Sequence, residues 1–239
     1  MTHSRTLLAD RAVIRLSPTD GEEDVAAFLQ GLVTNDVTGD LPVYGGLLNA
    51  QGKAIASFFV WREGDDLLLD CEAVVAAELV KRLSLYRLRR KIGIAVDESI
   101  AVHWAREGAD GAVDPRLPAL GHRWLGAREG EDASDDYRAH RLSHGVPESV
   151  EEIGDLLWLE TNAGELSGVS FTKGCFIGQE NTARMNWRQK VNRRLVVVPL
   201  GESDGKRQRV SYPALDLAVD HLRVSDIPSG HVPDWLDLG

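Results

Sequence analysis

The chain has 239 residues, 27 Lys and Arg against 37 Asp and Glu for a formal charge of −10, and 43% hydrophobic with 27% charged residues. That is ordinary globular composition, enough for one large domain or two unequal ones, and it excludes a disordered tail or a disulfide-stapled miniprotein. The two cysteines, Cys71 and Cys175, lie far apart without a CxxC partner, which argues against a secreted disulfide framework.

Asp10 interrupts the apolar runs of the opening MTHSRTLLADRAVIRL, so the long hydrophobic core of a signal peptide is missing. No stretch reaches the roughly 18 apolar residues of a membrane span. The expected compartment is a reducing cytoplasm, with no membrane partner, and the acidic balance argues against a general nucleic-acid binder. Alternation over residues 12–16 predicts a half-buried strand, stopped at Pro18-Thr19-Asp20-Gly21. A helix should follow, with Glu22 and Glu23 in its first turn and Val25, Phe28, Leu29 and Leu32 on one face. Thr34-Asn35-Asp36 reads as its exit loop. Residues 43–50 and 54–62 flank Gln51-Gly52 as a β-hairpin, and a short strand follows at 67–69.

Val75, Leu79, Leu83 and Tyr86 mark the strongest helix, which ends in Arg87, Arg89, Arg90 and Lys91. Ile92, Ile94 and Val96, then Ile100, Val102 and Trp104, alternate as two more strands. Residues 107–116 and 129–136 lack periodicity and read as surface loops; five of the eight residues in the second are acidic. Residues 137–143 look helical and stop at Gly145-Val146-Pro147, and 195–200 form a clear strand. Beyond it, only residues around 215–224 promise another element. This order of strand, helix, hairpin, helix and strand predicts an α+β fold.

Residues 156–198 are the chemically dense stretch. No acidic residue lies between Glu180 and Glu202, whereas Arg184, Arg188, Lys190, Arg193 and Arg194 supply five positive charges. On an acidic body such an island is either a solvated helix face or an attractor of a small polyanion. Within it, Cys175 sits in Lys173-Gly174-Cys175-Phe176-Ile177-Gly178-Gln179-Glu180. The glycines permit tight turns and close ligand approach. Nearby cations, or a helix starting after Gly178, would favour the thiolate; the alternative is a small buried residue. Cys71, at a strand end, reads as structural.

The segment KGCFIGQE with the following TAR, preceded by LWLETN and GVSFT, resembles the signature of the YgfZ family of folate-binding iron–sulfur assembly proteins. That family is related to the glycine-cleavage T-protein, the aminomethyltransferase. FLQGLVTNDV at 28–37, YGGLLNAQGK at 44–53, LYRLRRKI at 85–92 and YRAHRLSHGVPE at 137–148 match as well, so the resemblance covers roughly the first 200 residues. It implies a folate-binding domain of two strand-exchanged α+β halves, here 1–193, and a C-terminal β-barrel element, here 194–239.

The resemblance also implies roles. Tetrahydrofolate, or a one-carbon derivative, would be the cofactor, and Glu160 matches the glutamate that accepts the pterin N–H and amino group as a fork. A strand-end Glu160 paired to an arginine is the other reading. Tyr44 matches a family tyrosine along the aromatic middle of folate. Arg184 belongs to the extended motif, either contacting ligand or bracing the Cys175 loop through Glu180. Asn35 and Asp36 match the family's TND turn, either fixing that loop or touching ligand. Cys175 would be the catalytic group, and no metal site is expected.

Two departures matter. An aspartate pair of the T-protein, one of which is catalytic, corresponds here to Ala56 and Ser57, which removes the acid for aminomethyl transfer. The stretch after Leu195 is also too short for the usual barrel, so that element is expected to be reduced. The leading function is therefore a folate-dependent accessory factor that assembles or repairs iron–sulfur clusters on client or carrier proteins. Its alternatives are a C1-transfer enzyme acting on a small amine or a modified RNA base, and a binding module without chemistry.

Overall fold

The computed structural model describes residues 5–108, 111–188 and 191–238, with residue 188 described by its backbone alone. Strands β1 (Arg5–Leu7) and β2 (Arg11–Pro18) open the chain. Helix α1 (Val25–Gln30) begins after Asp24, whose carboxylate accepts the Ala27 N–H at 2.9 Å. Glu22 and Glu23 thus precede the helix instead of forming its first turn. Asp24 is a better cap, and the Glu23 carboxylate is taken by Arg90 at 2.6 Å and the Lys91 N–H at 3.0 Å.

The expected hairpin is β3 (Val43–Leu48) and β4 (Ala54–Glu63), followed by β5 (Asp66–Glu72). Helix α2 (Ala73–Arg87) packs Ala76, Leu79 and Leu83 on the sheet and leads to β6 (Ile92–Val96). The first sheet has the order β3-β4-β5-β2-β6. Strands β7 (Ile100–Ala105), β8 (Ala112–Val113), β9 (His122–Ala127) and β10 (Glu131–Asp132) build a second. Its order is β10-β1-β7-β9-β8, so β1 crosses away from its neighbour β2 to join it.

Helices α3 (Ser134–Ser143) and α4 (Val150–Ile153) precede a 3-10 turn at Trp158–Thr161. Helix α5 (Gln179–Arg188) starts after Gly178, as the sequence implies. Strands β11 (Arg193–Pro199), β12 (Gln208–Tyr212) and β13 (Leu217–Arg223) then form a sheet of order β11-β13-β12, which is not a closed barrel. Its Leu195 and Val219 share a core with Tyr44, Phe59 and Trp158 of the preceding part. Strand β12 is short, and only Val210 and Tyr212 alternate to announce it. Arg209 holds it in place, donating to the carbonyls of Glu152 at 3.0 Å and Gly154 at 2.6 Å.

The two large sheets face each other across a buried network of charges. Arg11 donates to Asp70 at 2.6 Å and to Glu148 at 2.8 Å. Arg116 reaches Glu148 at 2.6 Å and Asp114 at 2.7 Å, and Arg123 reaches Asp70 at 2.9 Å. The Tyr137 hydroxyl closes the ring on Glu148. Residues 107–116 are therefore not all surface loop: they contain β8, and Asp114 and Arg116 are buried. Burial is tolerated because each charge meets an opposite one with hydrogen bonds, and Glu148, the partner that decides this, is distant in sequence.

Candidate functional site

The hairpin turn at residues 49–53 is the support on which the Cys175 and Glu160 segments both rest. The Trp158 N–H donates to the Gly52 carbonyl at 3.0 Å and so seats the turn that carries Glu160. On the other flank the Asn181 amide donates to the Gln51 carbonyl at 2.9 Å, which seats α5. Gly178 fits directly against this turn. It has φ +80°, and a Cβ there would lie 2.5 Å from the Asn49 carbonyl oxygen. Gly178→Ala is expected to lower stability by on the order of 1–3 kcal/mol through backbone strain alone. Gly174→Ala, strained at φ +100° but with nothing within 4 Å of its Cβ, should cost less. Urea midpoints measure both, and an unchanged midpoint for Gly178→Ala would contradict the close fit.

Cys175 is exposed and unpaired, whereas Cys71 is buried and burial pushes its thiol up to about 12. Phe176, next to Cys175, is buried in the core that contains Trp158, and its N–H donates to the Gln179 side chain at 3.0 Å. The thiol thus sits on a fixed loop and faces solvent. The Lys173 ammonium is bonded to backbone acceptors. It donates to the carbonyl of Gln30, at the carboxyl end of α1, and at 2.6 Å to that of Val33 in the segment beyond it. Burial lowers this ammonium to about 8, a fall opposed by Asp36.

Glu160 lies in the 3-10 turn with its Oε2 3.1 Å from His221 Nε2, off the alignment of a hydrogen bond. His221 itself comes from β13, opposite Leu195 in β11. Around the pair, the buried Asn162 Oδ1, His221 Nε2 and Arg194 Nε have no hydrogen-bond partner among the described residues. The sequence signals His221 only as a basic residue within the alternating strand LAVDHLR. Arg194 is no part of a solvated island, since it is buried and bonded to Glu165 at 2.7 Å and to the Leu159 carbonyl at 2.8 Å. Lys190 lies outside the described residues.

Asn35 spans two segments, donating to the carbonyls of Tyr44 at 2.7 Å and Ser167 at 2.8 Å. Asp36 accepts from the Thr38 hydroxyl at 2.7 Å and the Thr38 N–H at 2.9 Å, which holds its carboxyl below the usual range. Both side chains therefore make loop-fixing bonds. Tyr44 is buried, with its ring against Phe59 and Trp158 and the Arg116 guanidinium 5.1 Å from its centroid, and burial pushes its hydroxyl up to about 12. Arg184 and Glu180 are exposed and form no ion pair among the described residues; with Ala183 and Trp187 they line an open hollow. Trp187 is 74% exposed and meets Phe171 edge to face, with 6.4 Å between ring centroids. Among the described residues, no group of three or more His, Cys, Asp or Glu is placed to hold a metal ion, and no helix is long and apolar enough to cross a membrane.

No family model matches the chain. Among curated proteins it is 34% identical to the human iron–sulfur cluster assembly factor IBA57, mitochondrial, over 73% of this chain and 61% of that protein. It is 32% identical to the mouse protein of the same name, over 81% of this chain and 65% of the other. It is 31% identical to the Coccidioides immitis homolog, over 81% and 56%. The chain thus spans about three fifths of the length of these relatives. Among solved structures, the glycine cleavage system aminomethyltransferase T from Bartonella henselae matches with a TM-score of 0.65 at 11% identity, over 94% of this chain and 79% of that one. At that identity the likeness is one of fold.

Proposed function

We propose, given that this chain is a YgfZ-type homologue of the IBA57 iron–sulfur cluster assembly factors with the fold of the glycine-cleavage T-protein, that it assists cluster assembly or repair on client or carrier proteins. Cys175 is the reacting group in this reading, and tetrahydrofolate is the cofactor. The observation that carries it is the exposed thiol on a loop anchored by Phe176 and by Gly178 against the hairpin turn. Two isolated cysteines cannot hold a cluster, which generally needs four protein ligands. The cluster is accordingly cargo, touched by one thiolate while the partner supplies the other ligands. The exposed Phe171, Arg184 and Trp187 offer that partner an aromatic and cationic contact. A free working thiol suits a reducing compartment, whether the cytoplasm or, as for the mitochondrial relatives, the mitochondrion.

In this reading a pterin edge would be held at Glu160. Glu160 would supply a carboxylate, which His221 Nε2 approaches to 3.1 Å, and the buried Asn162 Oδ1, without a hydrogen-bond partner among the described residues, is a polar atom that a ligand edge would satisfy. When bound, the folate would supply a one-carbon or redox-active ring. At the positions of the T-protein acid, Ala56 is buried and the Ser57 hydroxyl donates to the Glu148 carbonyl at 3.3 Å, which disfavours C1 transfer. Calorimetric titration with tetrahydrofolate tests the cofactor. Glu160→Gln is expected to weaken binding by about ten- to a hundredfold, the equivalent of roughly 1.5–3 kcal/mol for a charge-assisted contact. Absence of binding heat for the wild-type chain would remove folate from the account.

A further inference from the structure

The lysine two positions before the thiol invites an electrostatic role, but its geometry serves a mechanical one. Helix α1 is short, and its end leaves carbonyls without helical donors. Lys173 takes up the Gln30 carbonyl at that end and the Val33 carbonyl in the segment beyond it, and its Nζ lies 5.3 Å from the Phe176 ring centroid. Asp36, in the turn that follows α1, is the carboxylate whose charge opposes the loss of its proton. The Gln30 amide in turn donates to Asp36 at 3.1 Å, and the Gln30 side-chain oxygen accepts the Val37 N–H at 2.9 Å. Lys173 therefore joins the thiol loop to the end of α1, and the Gln30 side chain joins that end to the turn at Asp36.

We propose that Lys173 is the positioning residue of the Cys175 loop: it ties the loop to the end of α1 and fixes where the thiol sits, not how readily it ionises. This deepens the reading of Cys175 as the reacting group and rests on it. Between Lys173 and the close-fitting Gly178 the chain carries a second positive-φ glycine, Gly174, with open space around it. The loop thus has freedom at Gly174 that the lysine tether removes. Without the tether, two carbonyls lose their donor and the loop keeps only its Phe176 and Gly178 anchors.

The test is the pH profile of Cys175 alkylation by a maleimide in Lys173→Met and Lys173→Arg, with wild type as reference; Cys71 is buried and does not interfere. Lys173→Met is expected to raise the plateau rate at high pH several-fold while leaving the midpoint near that of wild type. Lys173→Arg, whose guanidinium can still donate to both carbonyls, should keep the wild-type plateau. A shifted midpoint with an unchanged plateau would overturn the proposal and make Lys173 an electrostatic activator. Equal loss in both variants would also overturn it. Circular dichroism confirms that each variant is folded, and Phe176→Leu, which weakens a different anchor of the same loop, should likewise raise the plateau if loop placement governs the rate. These outcomes need no cluster or folate. Complementation by Cys175→Ser would therefore sink the proposed function while leaving the alkylation result to decide the role of Lys173.

Discussion

Glu148→Gln is expected to destabilise the chain by about 3–5 kcal/mol, the cost typical of removing one partner from a buried ion pair. Gln keeps the volume but leaves Arg11, Arg116 and Arg123 facing each other with two buried carboxylates, those of Asp70 and Asp114. Such a loss is a large fraction of ordinary domain stability, and it would lower Tm by roughly 6–20 °C for a chain of this size. The half-buried cluster at Arg15, which bonds Asp66 at 2.6 Å and Asp97 at 2.8 Å and is also reached by the exposed Glu63, provides the contrast. Asp66→Asn there should cost less than about 1 kcal/mol.

The same network sets an acid limit. Burial opposes ionisation of Glu148, but Arg116, Arg11 and Arg123 outweigh it and hold the carboxyl well below its usual range. A carboxyl depressed in the folded state contributes stability that is complete above its unfolded value, about pH 4.5, and is lost as the pH falls toward the folded one. Wild type should therefore lose stability on acidification below about pH 4.5, and Glu148→Gln should show a shallower slope over that window. Parallel slopes would mean that the network is not what titrates.

Cys175→Ser is expected to reduce cluster-dependent enzyme activity in cells to the level seen without the chain, while its fold stays near wild type. Serine keeps the size of the side chain but not the soft, readily ionised sulfur that iron prefers. The side chain is exposed and supports no packing, so a loss of function cannot be charged to misfolding. Full complementation by Cys175→Ser would leave the loop without its assigned chemistry.

Much of this arrangement was legible in the sequence because its signals are local. Gln51-Gly52 between alternating runs announced the hairpin, and Gly178 announced the start of α5. The KGCFIGQE segment carried the thiol, its glycines and the family resemblance together. What stayed hidden depends on pairs distant in sequence. Nothing near Asp114 and Arg116 announces burial until Glu148 is known to lie beside them, although Glu148 itself ends the matched segment YRAHRLSHGVPE. His221 meets Glu160 only because β13 pairs with β11. Lys173 read as a cation near a thiol, whereas the fold spends its donors on α1. Strand β12 is hard to read because it is short and is fixed by distant partners, its pairing with β13 and the bonds of Arg209 to the Glu152 and Gly154 carbonyls.

The central claim is that the Cys175 thiolate touches a partner's cluster. The most direct measurement is the visible circular dichroism of a [2Fe–2S]-loaded carrier protein mixed with this chain. The wild-type chain should change the cluster spectrum as its thiolate enters the iron coordination shell, and Cys175→Ser should leave it as in the carrier alone. Identical spectra for the two mixtures would contradict the account.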